Sequence, residues 1–172
     1  MTILDFLQAC LHDSPVGVVV TDTTCDEPGP TILYCNPAFA RLTGRDEHEI
    51  IGQSPRFMQG KETRREALDV FRRALETGDR YHGYLTNYRR DGTRYRAEID
   101  CRPLRSTDLQ IEYFVSFERE VTRRIGRPGP GHAGRYEPVA VSNELLTGLT
   151  RAFGLFSHAV SPDQSSQEHP PV

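Results

Sequence analysis

At 172 residues, the chain is long enough for one domain with its own core and short for a sensor joined to a complete catalytic effector. Its 37% apolar and 26% charged residues are the balance of an ordinary globular protein rather than a disordered or fibrous one. A formal net charge of -3 supplies no field toward nucleic acid or an acidic membrane, which argues against both as partners. With no basic leader and no apolar run of about 18 residues, the expected location is the cytoplasm. Cys10, Cys25, Cys35 and Cys101 are far apart with no C-x-x-C pair, so reduced structural thiols are expected rather than zinc ligands or disulfides.

In chain order, residues 1–13 read as a short amphipathic helix, with Ile3, Leu4, Phe6, Leu7 and Leu11 on one broad face. The β-branched run Val18-Val19-Val20 and the segment Thr31 to Cys35 form a hairpin around a turn-rich stretch. Asn36 and Pro37 open a helix that Gly44 ends, and a second helical turn from Asp46 closes at Gly52. Gln53 to Gly60 reads as irregular. Thr63 is placed to cap a longer helix whose apolar positions Ala67, Leu68, Phe71, Ala74 and Leu75 keep helical spacing up to Gly78. The period then becomes extended, with strands predicted at 81–88, 93–104 and 110–121, the first two joined across Asp91-Gly92. Two strands, short helices and three strands make an α+β domain with an antiparallel sheet over residues 14–125. A Gly/Pro-rich linker is expected over 126–141, an amphipathic helix over 142–158 carrying Leu145, Leu149, Phe153 and Phe156, and a disordered tail over 159–172.

Several segments in order carry a family resemblance: Tyr34-Cys35-Asn36-Pro37-Ala38-Phe39, Leu42-Thr43-Gly44, Ile51 to Gly60, Asn87 to Thr93, and Phe114 to Thr122. Together they resemble a PAS domain of the LOV-like branch over about residues 12 to 124. The resemblance implies a five-stranded antiparallel sheet with short helices on one face, enclosing a hollow. In flavin-binding LOV domains that hollow holds FMN or FAD, and the motif G-x-N-C-R-F-L-Q supplies a cysteine that attacks the photoexcited ring. Here Pro55 stands at the cysteine position and Ser54 at the preceding asparagine, so adduct chemistry is not expected. Arg56, Gln59 and Arg72 match the phosphate-side residues, and Asn87 matches the first flavin-reading amide. Ala97 replaces the second amide, and Glu118 replaces the glutamine facing the ring's N5 and O4 edge. Read without the resemblance, Arg56 and Arg72 are surface arginines pairing with Glu47, Glu49 or Glu62.

Other chemistries find less support. Haem ligation has His82 as its one candidate, and no hydrolase, zincin or phosphate-loop motif occurs, so no enzymatic activity is expected. The expected function is a stand-alone sensory module that signals by dimerisation or partner binding, without a committed cofactor. The alternative is a flavin-binding light or redox sensor that works without the cysteine adduct. Two apolar helices flanking one small domain each need a cover, and a homodimer using Phe6, Leu7, Leu149 and Phe153 is the expected solution, with a downstream signalling protein as a further partner.

Overall fold

A computed structural model of the chain describes residues 2–126, 134–139 and 144–157. Helix α1 (Ile3–Leu11) leads into strands β1 (Gly17–Thr21) and β2 (Ile32–Cys35). Helices α2 (Pro37–Thr43) and α3 (Glu47–Ile50), a 3₁₀ turn (Pro55–Met58) and the longer helix α4 (Arg65–Thr77) follow. Strands β3 (Tyr81–Tyr88), β4 (Arg94–Arg105) and β5 (Ile111–Arg123), a short β6 (Tyr136–Pro138) and helix α5 (Glu144–Phe153) complete the order. The antiparallel sheet runs β2-β1-β5-β4-β3, with β6 paired to the end of β5.

The local signals act as their chemistry dictates. Asn36 caps α2 by accepting from Phe39 N at 2.9 Å, Pro37 occupies its first turn, and Gly44 ends it in the left-handed region at φ 67°. Asn36 is fully buried and does more than cap: its Oδ1 also accepts from Val18 N, while Nδ2 donates to the carbonyls of Leu11 and Val16. One amide thereby ties the end of α1, the start of β1 and α2 together, with every donor and acceptor used.

The sheet has two different faces. Alternation along β5 turns Phe114, Ser116 and Glu118 toward α4 and the 3₁₀ turn, and Val115, Phe117 and Arg119 to the other side. The inner face packs Tyr81, Leu85, Tyr95, Ile99 and Phe114 against the apolar stripe of α4, where Phe71 stacks on Tyr81 at 4.1 Å. On the outer face, Leu4, Leu7 and Leu11 of α1 pack on Val18, Val20, Tyr34 and Val115. Beside them, Leu155 and Phe156 pack with Val16 and Phe117.

Four expectations need correction. Residues 136–138, placed in a linker, form β6, because β5 runs beyond its pairing with β1 at Glu118 and offers free backbone groups from Val121 to Arg123. The stretch read as irregular contains a 3₁₀ turn, whose start is held by the Ser54 hydroxyl. Thr63 does not cap α4; its hydroxyl donates to the Thr86 carbonyl at 2.6 Å and accepts from Gly60 N, so it fastens the helix approach to β3. Phe156 is not on a helix face, since α5 stops at Phe153 and left-handed residues Gly154 and Phe156 turn the chain onto the sheet. His158 and the tail expected over 159–172 lie outside the described residues.

The premise of the interface expectation also changes. The outer face covers both flanks, taking Leu7 from α1 and Leu155 and Phe156 from the C-terminal turn. Phe6 and Phe153 remain exposed, at 49% and 58%. The Leu149 side chain lies outside the described residues.

Candidate functional site

Between the inner sheet face and α4 lies a cavity of about 230 Å³. Its sheet wall comes from Val19, Cys101, Phe114, Ser116 and Glu118, and its helical wall from Leu68, Phe71 and Leu75. The side toward the 3₁₀ turn is Pro55, Arg56 and Gln59. Solvent-facing Glu27, Arg65, Asp69 and Arg72 form the rim.

Glu118 is the chemically distinctive group in this wall. It is 4% exposed, and its Oε2 has no hydrogen-bond partner among the described residues. Burial without a compensating cation pushes its carboxyl up to about 8, so it is protonated at neutral pH and presents a hydroxyl donor beside a carbonyl acceptor. Cys101 lines the same wall with its thiol pushed up to about 12 by burial, which keeps it unreactive as a nucleophile. Cys25, partly exposed at the cavity, has its thiol raised by desolvation and donates weakly to the Thr23 carbonyl. Cys10 is a free thiol exposed on α1.

The candidate residues do not all converge. Pro55, Arg56, Gln59, Arg72 and Glu118 share the cavity. Asn87 does not: it is buried at 2% against Met58, with its Nδ2 4.0 Å from the Met58 sulfur, which also receives the Tyr95 hydroxyl at 3.7 Å. The arginines pair with carboxylates other than those expected. Arg56 meets Glu27 across the cavity mouth, and Arg72 donates through Nε to Glu76 at 2.8 Å along its own helix. Such exposed pairs are individually weak, so a bound anion can compete for either arginine. His82, the haem candidate, faces away from the cavity on the outer side of β3, with Nε2 2.9 Å from Glu98 Oε1.

A second charged constellation sits on that outer face. Glu98 also accepts from Tyr84 and from Arg119 Nε at 2.8 Å. Asp100, with no exposed side-chain surface, accepts from Arg80, from Arg102 and from the backbone N–H of Phe156. Burial pushes its carboxyl upward, but these donors prevail and hold it at about 2. The arginines reach past Asp100 to the end of α5: Arg102 donates to the Phe153 and Gly154 carbonyls, each at 2.9 Å, and Arg80 to the Ser157 carbonyl. Arg119 completes the contact by lying 4.0 Å over the Phe156 ring. The alternation of β4 and β5 could have placed these residues on one face; their partner 50 or so residues later could not be read from period alone.

Together these features define a class: an α+β domain with a five- to six-stranded antiparallel sheet that walls a small cavity on one face and holds its flanking segments on the other. Residues 15–123 match the PAS domain family, and the chain belongs to it. Its relatives include a blue-light photoreceptor of Listeria monocytogenes, 31% identical over 118 residues, a match covering 69% of this chain and 46% of that protein. Among solved structures, a light-oxygen-voltage domain studied through a flavin analogue matches with 27% identity and a TM-score of 0.60, over 71% of this chain and 86% of that one. An RNA-binding light-oxygen-voltage receptor matches with 28% identity and a TM-score of 0.62, over 69% of this chain and 33% of that one. The curated relatives are longer proteins: the match spans 12% to 46% of the length of the first of them. With an RNA-binding receptor among the neighbours, the family likeness does not support the charge-based argument against nucleic acid. No helix among the described residues is long and apolar enough to cross a membrane.

The fit of a flavin to these residues is partial. Arg56, Gln59 and Arg72 line the cavity and would offer donors to a phosphate and ribityl end. The polar edge of the ring finds little: Asn87 is committed to Met58, Ala97 has no polar side chain, and Glu118 offers a carboxyl in place of an amide.

Proposed function

We propose that this chain is a sensory module whose input is a small molecule held in the cavity beneath the sheet and whose output passes through the flanking segments on the opposite face. The observation that carries this reading is Glu118, a buried carboxyl with an unpartnered oxygen in a cavity wall. A fold optimised for packing alone gains nothing from an unsatisfied polar group in its core. Glu118 also sits in β5 between Phe117, which packs on the cluster of Val16, Leu155 and Phe156, and Arg119, which lies over the Phe156 ring, so the two faces share one strand. The module works without a thiol adduct, because Pro55 contributes no nucleophile at the 3₁₀ turn and burial keeps Cys101 protonated. Catalysis is not part of this reading, and the module acts on a partner, either a second copy of itself or a signalling protein.

A second reading, a flavoprotein responding to light or redox state without an adduct, is favoured by the presence of Arg56, Gln59 and Arg72 in the same cavity wall. The absorbance spectrum of the purified protein, before and after blue light, tests both. The first reading expects no structured blue-region absorption, with a non-flavin small molecule released on denaturation and identified by mass spectrometry. Bound flavin without reversible bleaching establishes the second. Reversible bleaching with thermal recovery overturns the adduct-free assignment in either form.

A further inference from the structure

From the walls of this cavity we infer the chemical class of its ligand: a compact aromatic or alicyclic anion, smaller than FMN, with a hydrogen-bond acceptor at the end opposite its charge. The inference rests on the reading of the cavity as a ligand site. Its volume, about 230 Å³, falls below the roughly 300–1,000 Å³ usual for sites that take drug-sized molecules. The space is limited by side chains already committed elsewhere. Met58 is 3% exposed and receives both the Tyr95 hydroxyl and the Asn87 amide, so the inner face beyond Glu118 is closed by a contact among buried groups.

The polarity of the walls sets the orientation. Phe71, Leu75 and Phe114 make an apolar channel that suits a ring. Glu118, buried and without a partner for Oε2, offers a hydroxyl donor at depth and therefore seeks an acceptor such as a carbonyl. The rim carries Arg56, Arg65 and Arg72 at the solvent end, each paired with an exposed carboxylate, Glu27, Asp69 and Glu76 in turn. A carboxylate there exchanges with the exposed carboxylates the arginines now hold, at little cost.

The test uses the full chain and titration calorimetry with three probes: 4-acetylbenzoate, its isostere 4-isopropylbenzoate lacking the acceptor, and FMN. The expected result is binding of 4-acetylbenzoate about tenfold or more tighter than 4-isopropylbenzoate, the ratio that one satisfied buried hydrogen bond supplies. Glu118→Gln keeps a donor and retains the preference; Glu118→Leu removes it. If the Leu variant fails to fold, the comparison of the two benzoates on the native chain and on the Gln variant still decides. Equal binding of the two benzoates overturns the assignment of an acceptor, and tighter binding of FMN than of 4-acetylbenzoate overturns the assignment of size. Both of those results leave the cavity a ligand site. Failure of all three probes to bind, with no small molecule released on denaturation, removes the ligand class and the cavity reading together.

Discussion

The backbone N–H of Phe156 donates to Oδ2 of Asp100 at 2.7 Å, joining the C-terminal turn to the middle of β4 across 56 residues. Neither residue is exposed: Asp100 stands at 0% and Phe156 at 8%. A charged carboxylate is tolerated there because Arg80 and Arg102 neutralise it and spend their remaining donors on carbonyls at the end of α5. Removing one member strands the others, which makes the contact a sensitive place to probe the fold.

Asp100→Ala is expected to destabilise the chain by about 3–5 kcal/mol in urea unfolding, because two arginines lose their buried counter-charge. The same variant should speed tryptic cleavage at Arg151, since the turn that follows α5 loses its anchor. Asp100 has a carboxyl held at about 2, below its ordinary 3.8, so its contribution is full above the ordinary value and fades as pH falls toward about 2. Unchanged cleavage in the variant would show that the turn is held by Phe156 packing alone.

Glu118 has the opposite sign. The unfolded carboxyl titrates near 4.5 and the folded one near 8, so between those values the native chain keeps a proton that the unfolded chain has lost. Its favourable contribution is complete below about 4.5 and is lost as pH rises toward about 8, at a rate approaching 1.4 kcal/mol per pH unit. Glu118→Gln is expected to abolish that slope and to be the more stable chain at pH 8. Parallel stability curves for the two proteins would mean that Glu118 is solvated in the native state.

Gly17 lies where β1 passes under α2. A Cβ there would stand 3.0 Å from the Glu118 carbonyl and 3.2 Å from the Phe39 Cα, both of them backbone atoms that cannot swing aside. Gly17→Ala is therefore expected to cost about 1–3 kcal/mol and to shift the Glu118 strand outward. Equilibrium denaturation measures the first, and a loss of cavity ligand affinity the second; a neutral substitution contradicts the close approach.

For a homodimer, the surface that α1 leaves available is Ile3 and Phe6, at 39% and 49% exposure, whereas Leu4, Leu7 and Leu11 are spent on the sheet. Changing Phe6 and Leu7 together would confuse unfolding with dissociation. Light scattering on the intact chain and on Ile3→Ser/Phe6→Ser separates them: a dimer at micromolar concentration and a monomeric, equally stable variant are expected. A monomeric intact chain removes the homodimer from the proposal.

Much of the candidate site was legible because its residues occur in a short, ordered stretch. Pro55 and Arg56 fall on one 3₁₀ turn that Gln59 ends, and Arg72 is carried to the same cavity by the regular rise of α4. Glu118 was marked by the resemblance, as the residue standing where the family's ring-facing glutamine falls, and alternation along β5 turns it to the inner face. Asn87, assigned by resemblance to a flavin if one binds, lies beside Met58, and which buried neighbour an amide meets depends on side chains from elsewhere in the chain.

The sequence by itself determined the elements from α1 to β5, the 3₁₀ turn excepted, and their order: the caps at Asn36 and Gly44, the Asp91-Gly92 turn and the alternating strands are set by interactions within a few residues. Only the tertiary structure decided how the sheet's outer face is shared. The apolar stripe of α1 specified that something must cover it, not that β1 and β5 would, and the Asp100 cluster needed Phe156 brought back from the chain's far end. Burial and charge neutralisation depend on summed contacts between distant segments, so no local pattern could announce that a pair of flanks and a six-stranded sheet would satisfy one another.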